Sequence, residues 1–138
     1  MAHEHIVYMM LVDSAAMNRD PNSLKRFTPI LEELTNRDNH LPYLAVAHRA
    51  RGILHRLEGE FELAEESFKE SIKLFDGLGM RWQLGRTLTE MAELELTKEN
   101  IDSAKEYFKG ASSAYKEINA RTDLNKIQDQ LKEMNGLS

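Results

Sequence analysis

Arg49 and Arg56 are seven residues apart, two turns of a helix, so in helical sequence their guanidinium groups point the same way. Together with Arg86 they could receive an acidic or carboxylate-bearing segment through charge-assisted hydrogen bonds. The competing reading is an ordinary solvated face, with these arginines paired to Glu90 and Glu93. His48 and His55, with Glu58 one turn further on, carry ligand types suited to zinc or iron. At 1.5 Å rise per residue, however, the two imidazoles are about 10 Å apart, too far for one ion. No Glu-x-x-His pair recurs on other helices, as a carboxylate-bridged bundle site requires. The two histidines therefore read as helix-packing residues, and His3 and His5 as part of a mobile terminus. There is no cysteine nucleophile, Gly-x-Ser-x-Gly elbow, glycine-rich phosphate loop or His-Glu-x-x-His. The chain reads as a non-enzyme with no cofactor and no metal.

The elements that must position these residues belong to an ordered, helical chain. Its 138 residues are 41% apolar and 30% charged, with three prolines, which argues against disorder and suits a single domain. A net charge of −5, with 18 basic residues scattered rather than clustered, gives no nucleic-acid footprint. The longest apolar run, Ile6 to Val12, is too short to span a membrane and lacks the flanks of a signal peptide. The expectation is a cytoplasmic protein that binds neither nucleic acid nor membrane.

Apolar residues recur at three and four from Leu44 to Leu57 and from Phe61 to Phe75, separated by Gly59 and ended by Gly77 and Gly79. A second helical pair runs from about Trp82 to Leu96 and from about Ile101 to Tyr115. A final helix reaches Met134, with Thr122 or Asp123 as its cap. The two pairs repeat each other forty residues apart: Gly52 aligns with Ala92, Ala64 with Ala104, Phe68 with Phe108 and Phe75 with Tyr115. Such a period signals stacked units, each unable to bury its apolar face alone. In the first forty residues a shift of about forty-one lays Phe27, Leu31 and Leu34 over Phe68, Ile72 and Phe75. Asn18 to Asn22 then form the turn, and Pro29 bends the second helix. Seven helices result.

Gly52, Gly59, Ala64, Phe68 and Ser71, then Ala92, Ala104, Phe108 and Ala111, resemble the tetratricopeptide repeat in its long, roughly forty-residue form, as found in bacterial regulatory and signalling proteins. The usual tryptophan and tyrosine of the first helix are replaced by His48 and His55, then by Leu88 and Glu95. The resemblance implies an all-α right-handed superhelix of three helical hairpins plus a capping helix. The divisions are a degenerate repeat over 1–40, repeats over 41–79 and 80–119, and a cap over 120–136.

The resemblance also implies that the first helix of each hairpin lines a concave, partner-binding face. Carried across, that lining is Arg49, Ile53 and Arg56, then Arg86, Thr89, Glu90 and Glu93, then Lys126 with Asp129, with Tyr8 and Val12 as poorer N-terminal equivalents. A chaperone-tail carboxylate clamp needs lysine and asparagine where Arg49 and Ile53 stand, and is set aside. The implied function is a scaffold or sensory module holding a protein or peptide, with an acidic segment as the candidate that the arginines suggest. The alternative is a regulatory domain sensing a small acidic ligand. Trp82 is expected to pack at the junction of hairpins with Phe75 and Leu78. The Ile6 to Val12 helix is apolar nearly all round; an upstream repeat outside this chain or a homodimer contact ranks ahead of irregular packing on the Asn22 to Thr35 helix.

Overall fold

A computed structural model describes residues 2–137, and among them every element is an α-helix. The order is α1 (Ala2–Met17), α2 (Pro21–Arg37), α3 (Leu41–Leu57), α4 (Phe61–Gly77), α5 (Arg81–Thr97), α6 (Ile101–Glu117) and α7 (Arg121–Leu137). Helices α2 to α7 are each 17 residues long. Three residues separate each helix from the next, so the underlying step is twenty residues per helix.

Every turn is built alike. Its middle residue has positive φ, at Arg19, Asn39, Gly59, Gly79, Glu99 and Asn119. The third residue's N–H reaches back five positions, as from Asp20 to the Ala15 carbonyl at 3.0 Å, Glu60 to His55 at 2.8 Å and Ala120 to Tyr115 at 3.0 Å. This left-handed C-terminal motif satisfies carbonyls that a helix end leaves bare. Glycine serves it without strain at Gly59 and Gly79, whereas Arg19 and Glu99 adopt it against their own steric preference. Asp20 accepts from the Ser23 N–H (3.2 Å) and hydroxyl (2.7 Å) and so caps α2. Those bonds, the hydroxyl's first, hold its carboxyl below the usual value. Pro21 stands at the start of α2, where its missing N–H is harmless, and the helix continues through Pro29. Helix α7 begins at Arg121, so neither Thr122 nor Asp123 caps it.

The uniform step corrects the register of the first forty residues. A shift of forty places Thr28, not Phe27, at the position of Phe68 and Phe108, and Thr35 at that of Phe75 and Tyr115. Thr28 and Thr35 are both fully buried, while Phe27 is half-exposed.

The chain divides into two compact units, one ending at Leu74 and one beginning at Phe75, with the division inside the last turn of α4. In the first unit α1 packs on α2 and α3, and α2 packs on α3. Its core includes Val12, Leu24, Leu31, Ala47, Ile53 and Phe68. Gly52 lets α3 approach Phe68 of α4: a Cβ there would lie 2.5 Å from the ring. The Ser71 hydroxyl donates to the Ala45 carbonyl at 2.9 Å. In the second unit α6 packs on α5 and α7 around Ala92, Ala104, Phe108, Ala111, Tyr115, Ile127 and Met134. Gly85 admits Tyr115, whose ring lies 2.5 Å from where its Cβ would be. Small residues at helix crossings, each with an aromatic beside them, explain the close packing.

Candidate binding surface

In the second unit, α5 and α7 border a cavity of about 250 Å³. Thr89, Glu93 and Leu96 come from α5, and Asp123, Lys126, Ile127 and Gln130 from α7. Phe108 and Tyr115 of α6 form its floor. These α5 and α7 residues recur at three and four, so each helix turns one continuous stripe toward the cavity. An apolar floor under a rim bearing Lys126, Glu93 and Asp123 suits a side chain or short segment with both apolar and polar groups. The Thr89 hydroxyl donates back to the Gly85 carbonyl at 2.8 Å, leaving its methyl to line the wall.

Trp82 extends this surface. It is 45% exposed, its indole Nε1–H donates to Asp123 Oδ2 at 3.2 Å, and the Arg86 guanidinium stands 4.9 Å from the ring centroid. Arg86 also donates to Gln83 Oε1 at 3.3 Å. The junction-packing role expected of Trp82 does not match this exposure. Its position between Arg86 on its own helix and Asp123 on α7 places an aromatic face beside the cavity.

The first unit treats its arginines differently. Arg49 is 2% exposed, and its Nη2 lies 3.2 Å from Asp13 Oδ1 of α1. It is a buried cation with a built-in carboxylate partner, not a solvated receptor for another chain. Ile53 is 2% exposed and belongs to the core. Arg56 is half-buried, with its guanidinium 5.8 Å from the Phe68 ring centroid. Two turns of spacing do set Arg49 and Arg56 on one side of α3, but burial gives them unlike surroundings. Tyr8 is half-buried and its ring lies 6.4 Å from that of Phe27, while Val12 is fully buried.

Of the residues carried over by resemblance, Thr89, Glu93 and Lys126 meet at the cavity. Arg86 reaches its edge through Trp82, Glu90 is half-buried on the same helix, and Asp129 is exposed outside the lining. Asp13 was missed, although at a shift of forty it occupies the register of Ile53 and Glu93. On α7 the resemblance named Lys126 with Asp129, whereas the residues that line the cavity beside Lys126 are Asp123, Ile127 and Gln130.

The histidines serve local structure. Burial pushes the His48 imidazole below its usual value, against the opposing pull of Glu70 and Glu32. His55 Nδ1 lies 3.0 Å from Glu60 across the α3–α4 turn. Forty residues on, Glu95 takes the same place and accepts from Asn100 Nδ2 at 2.9 Å. His5 Nε2 lies 3.0 Å from Asp38 Oδ2 and stacks on His40, which stacks in turn on Tyr43. Among the described residues no three His, Asp or Glu side chains are grouped to hold a metal ion. Among the described residues no helix is long and apolar enough to cross a membrane. No protein-family model, curated protein or solved structure matches the chain.

Proposed function

We propose that this chain is a non-catalytic binding module that holds a peptide or a partner helix along α5 and α7. The observation that carries this reading is the cavity between those helices, with its Phe108 and Tyr115 floor, its charged rim and the exposed Trp82 beside it. Exposed aromatics next to a partly apolar pocket are the usual anchors of protein recognition. The repeated 17-residue helices, the identical turns and the glycine–aromatic crossings support a right-handed superhelix of three hairpins plus a capping helix, in the manner of long tetratricopeptide arrays. In such an array the odd-numbered helices face the partner. The proposal includes a scaffold or sensory role in signalling, as the resemblance implies.

The pairing of Arg49 with Asp13 weighs against a small acidic ligand, because it occupies the cation nearest in kind to such a receptor. Partner choice rests instead on Trp82, Arg86, Glu93, Lys126 and Gln130. Panning a displayed random-peptide library on the whole chain tests this. Selected peptides should bind at least about tenfold more weakly to Lys126→Glu and to Gln130→Trp, which reverses the rim charge or fills the cavity mouth. Equal binding to both variants, each folded by circular dichroism, would rule the α5–α7 surface out.

A further inference from the structure

Helix α1 is clothed on one side only. His5, Val12, Ala15 and Ala16 are buried against its own unit. On the opposite side Ile6 is 43% exposed, Val7 52%, Met10 60%, Leu11 39% and Met17 67%. At 100° per residue Ile6, Met10 and Met17 share one stripe, with Val7 and Leu11 along its flank. The helix that reads as apolar nearly all round is thus covered by its own unit on one side alone. A contiguous apolar stripe of this kind marks an interaction surface.

We infer that the occupant is a second copy of this chain, its α1 lying antiparallel across the first with Met10 at the two-fold axis. The helix is self-complementary in that arrangement. Its N-terminal half carries the exposed apolar knobs Ile6 and Val7. Its C-terminal half carries an open groove of about 450 Å³ lined by Met9, Met10, Asp13, Ser14, Met17 and Asn18. Turning one copy about Met10 brings Ile6 of each chain opposite Ser14 of the other and Val7 opposite Asp13, so each groove receives the other's knobs. An isologous contact requires this matching of two halves of one surface. Methionines supply adaptable walls.

The charges select the same orientation. Glu4 is exposed near the start of α1 and Arg19 is exposed just past its end. Antiparallel pairing brings Glu4 of one copy to within about one turn of Arg19 of the other, whose guanidinium also donates to its own Ala16 carbonyl at 3.0 Å, whereas parallel pairing sets like beside like. The five exposed side chains each offer on the order of 100 Å² of apolar surface. A pair of copies therefore buries on the order of 1,000 Å², the lower limit for specific association and the size of a weak, reversible dimer.

Sedimentation of the full chain over about 1 to 500 µM reads this directly, with a monomer–dimer equilibrium expected. Met10→Glu, which sets two carboxylates face to face at the axis, should weaken dimerisation by at least about tenfold while leaving the helical circular dichroism unchanged. The native chain has no cysteine, so cross-linking can read the register. Under mild oxidation Ile6→Cys mixed with Ser14→Cys should form a disulfide-linked dimer, whereas either variant alone should not. A monomer throughout the range, as when α1 serves a different protein, overturns the inference. So does a dimer indifferent to Met10→Glu, or Ile6→Cys linking to itself. None of these outcomes depends on peptide binding at α5 and α7.

Discussion

Two threonines on α2 make opposite predictions for the same substitution. Thr28 and Thr35 are both 0% exposed, seven residues apart on one face of the helix. The Thr35 hydroxyl donates to the Leu31 carbonyl at 2.8 Å, whereas among the described residues the Thr28 hydroxyl has no partner. A buried polar group without a hydrogen bond costs about 1–3 kcal/mol, and a satisfied one contributes a net 0.5–1.5 kcal/mol, roughly. Valine matches threonine in shape and is similarly tolerated in a helix. Thr28→Val should therefore stabilise the chain by about 1 kcal/mol, and Thr35→Val should destabilise it by about the same. Urea titration followed by circular dichroism measures both, with unchanged slopes confirming that only stability has moved. A melting temperature higher by about 3 °C would accompany the Thr28 change. Shifts of the same sign in both variants, or a loss at Thr28→Val, would refute the assignment of Thr28 as an unsatisfied group.

Gly52→Ala should lower stability by about 1 kcal/mol, because overpacking against the fully buried Phe68 outweighs alanine's helix propensity; chemical denaturation decides it. Glu99→Gly should raise stability by roughly 0.5–1 kcal/mol by relieving a left-handed glutamate at φ 64°, seen as a shifted urea midpoint. His48 is held by burial below its usual value near 6.5, so the unfolded chain takes up its proton first as pH falls. Its contribution is intact above about pH 7 and declines as pH drops through 6.5 toward the folded value. His48→Gln should flatten that part of a stability–pH curve measured by denaturation at stepped pH.

The period of forty was legible wherever a small residue and an aromatic recur together, as at Gly52 with Phe68 and Ala92 with Phe108. It slipped by one in the first copy because Phe27 stands next to the true position, and a buried threonine carries no apolar signal. The turns around Arg19 and Glu99 were legible as polar breaks in the helical period, but their left-handed residue was not, since nothing in either side chain favours that backbone as glycine does at Gly59 and Gly79. Arg49 reads from sequence as a surface charge. Its partner Asp13 lies 36 residues away, beyond any local pattern. Thr89, Glu93 and Lys126, which line the cavity, were named only through the family resemblance. The tie between Trp82 and Asp123 was not legible, because it depends on how α5 and α7 come together.

Six turns cut to one template have a consequence for how this chain tolerates length change. Each turn falls at the same point of the twenty-residue step, so removing or duplicating twenty residues leaves every remaining helix and turn at its full length, and forty also keeps the small-residue and aromatic positions in register. A single inserted or deleted residue inside a helix instead rotates everything beyond it by about 100°, swinging buried residues such as Phe108 toward water. Length variation in this chain should therefore occur in steps of twenty or forty residues, and single-residue indels should survive only within the three-residue turns.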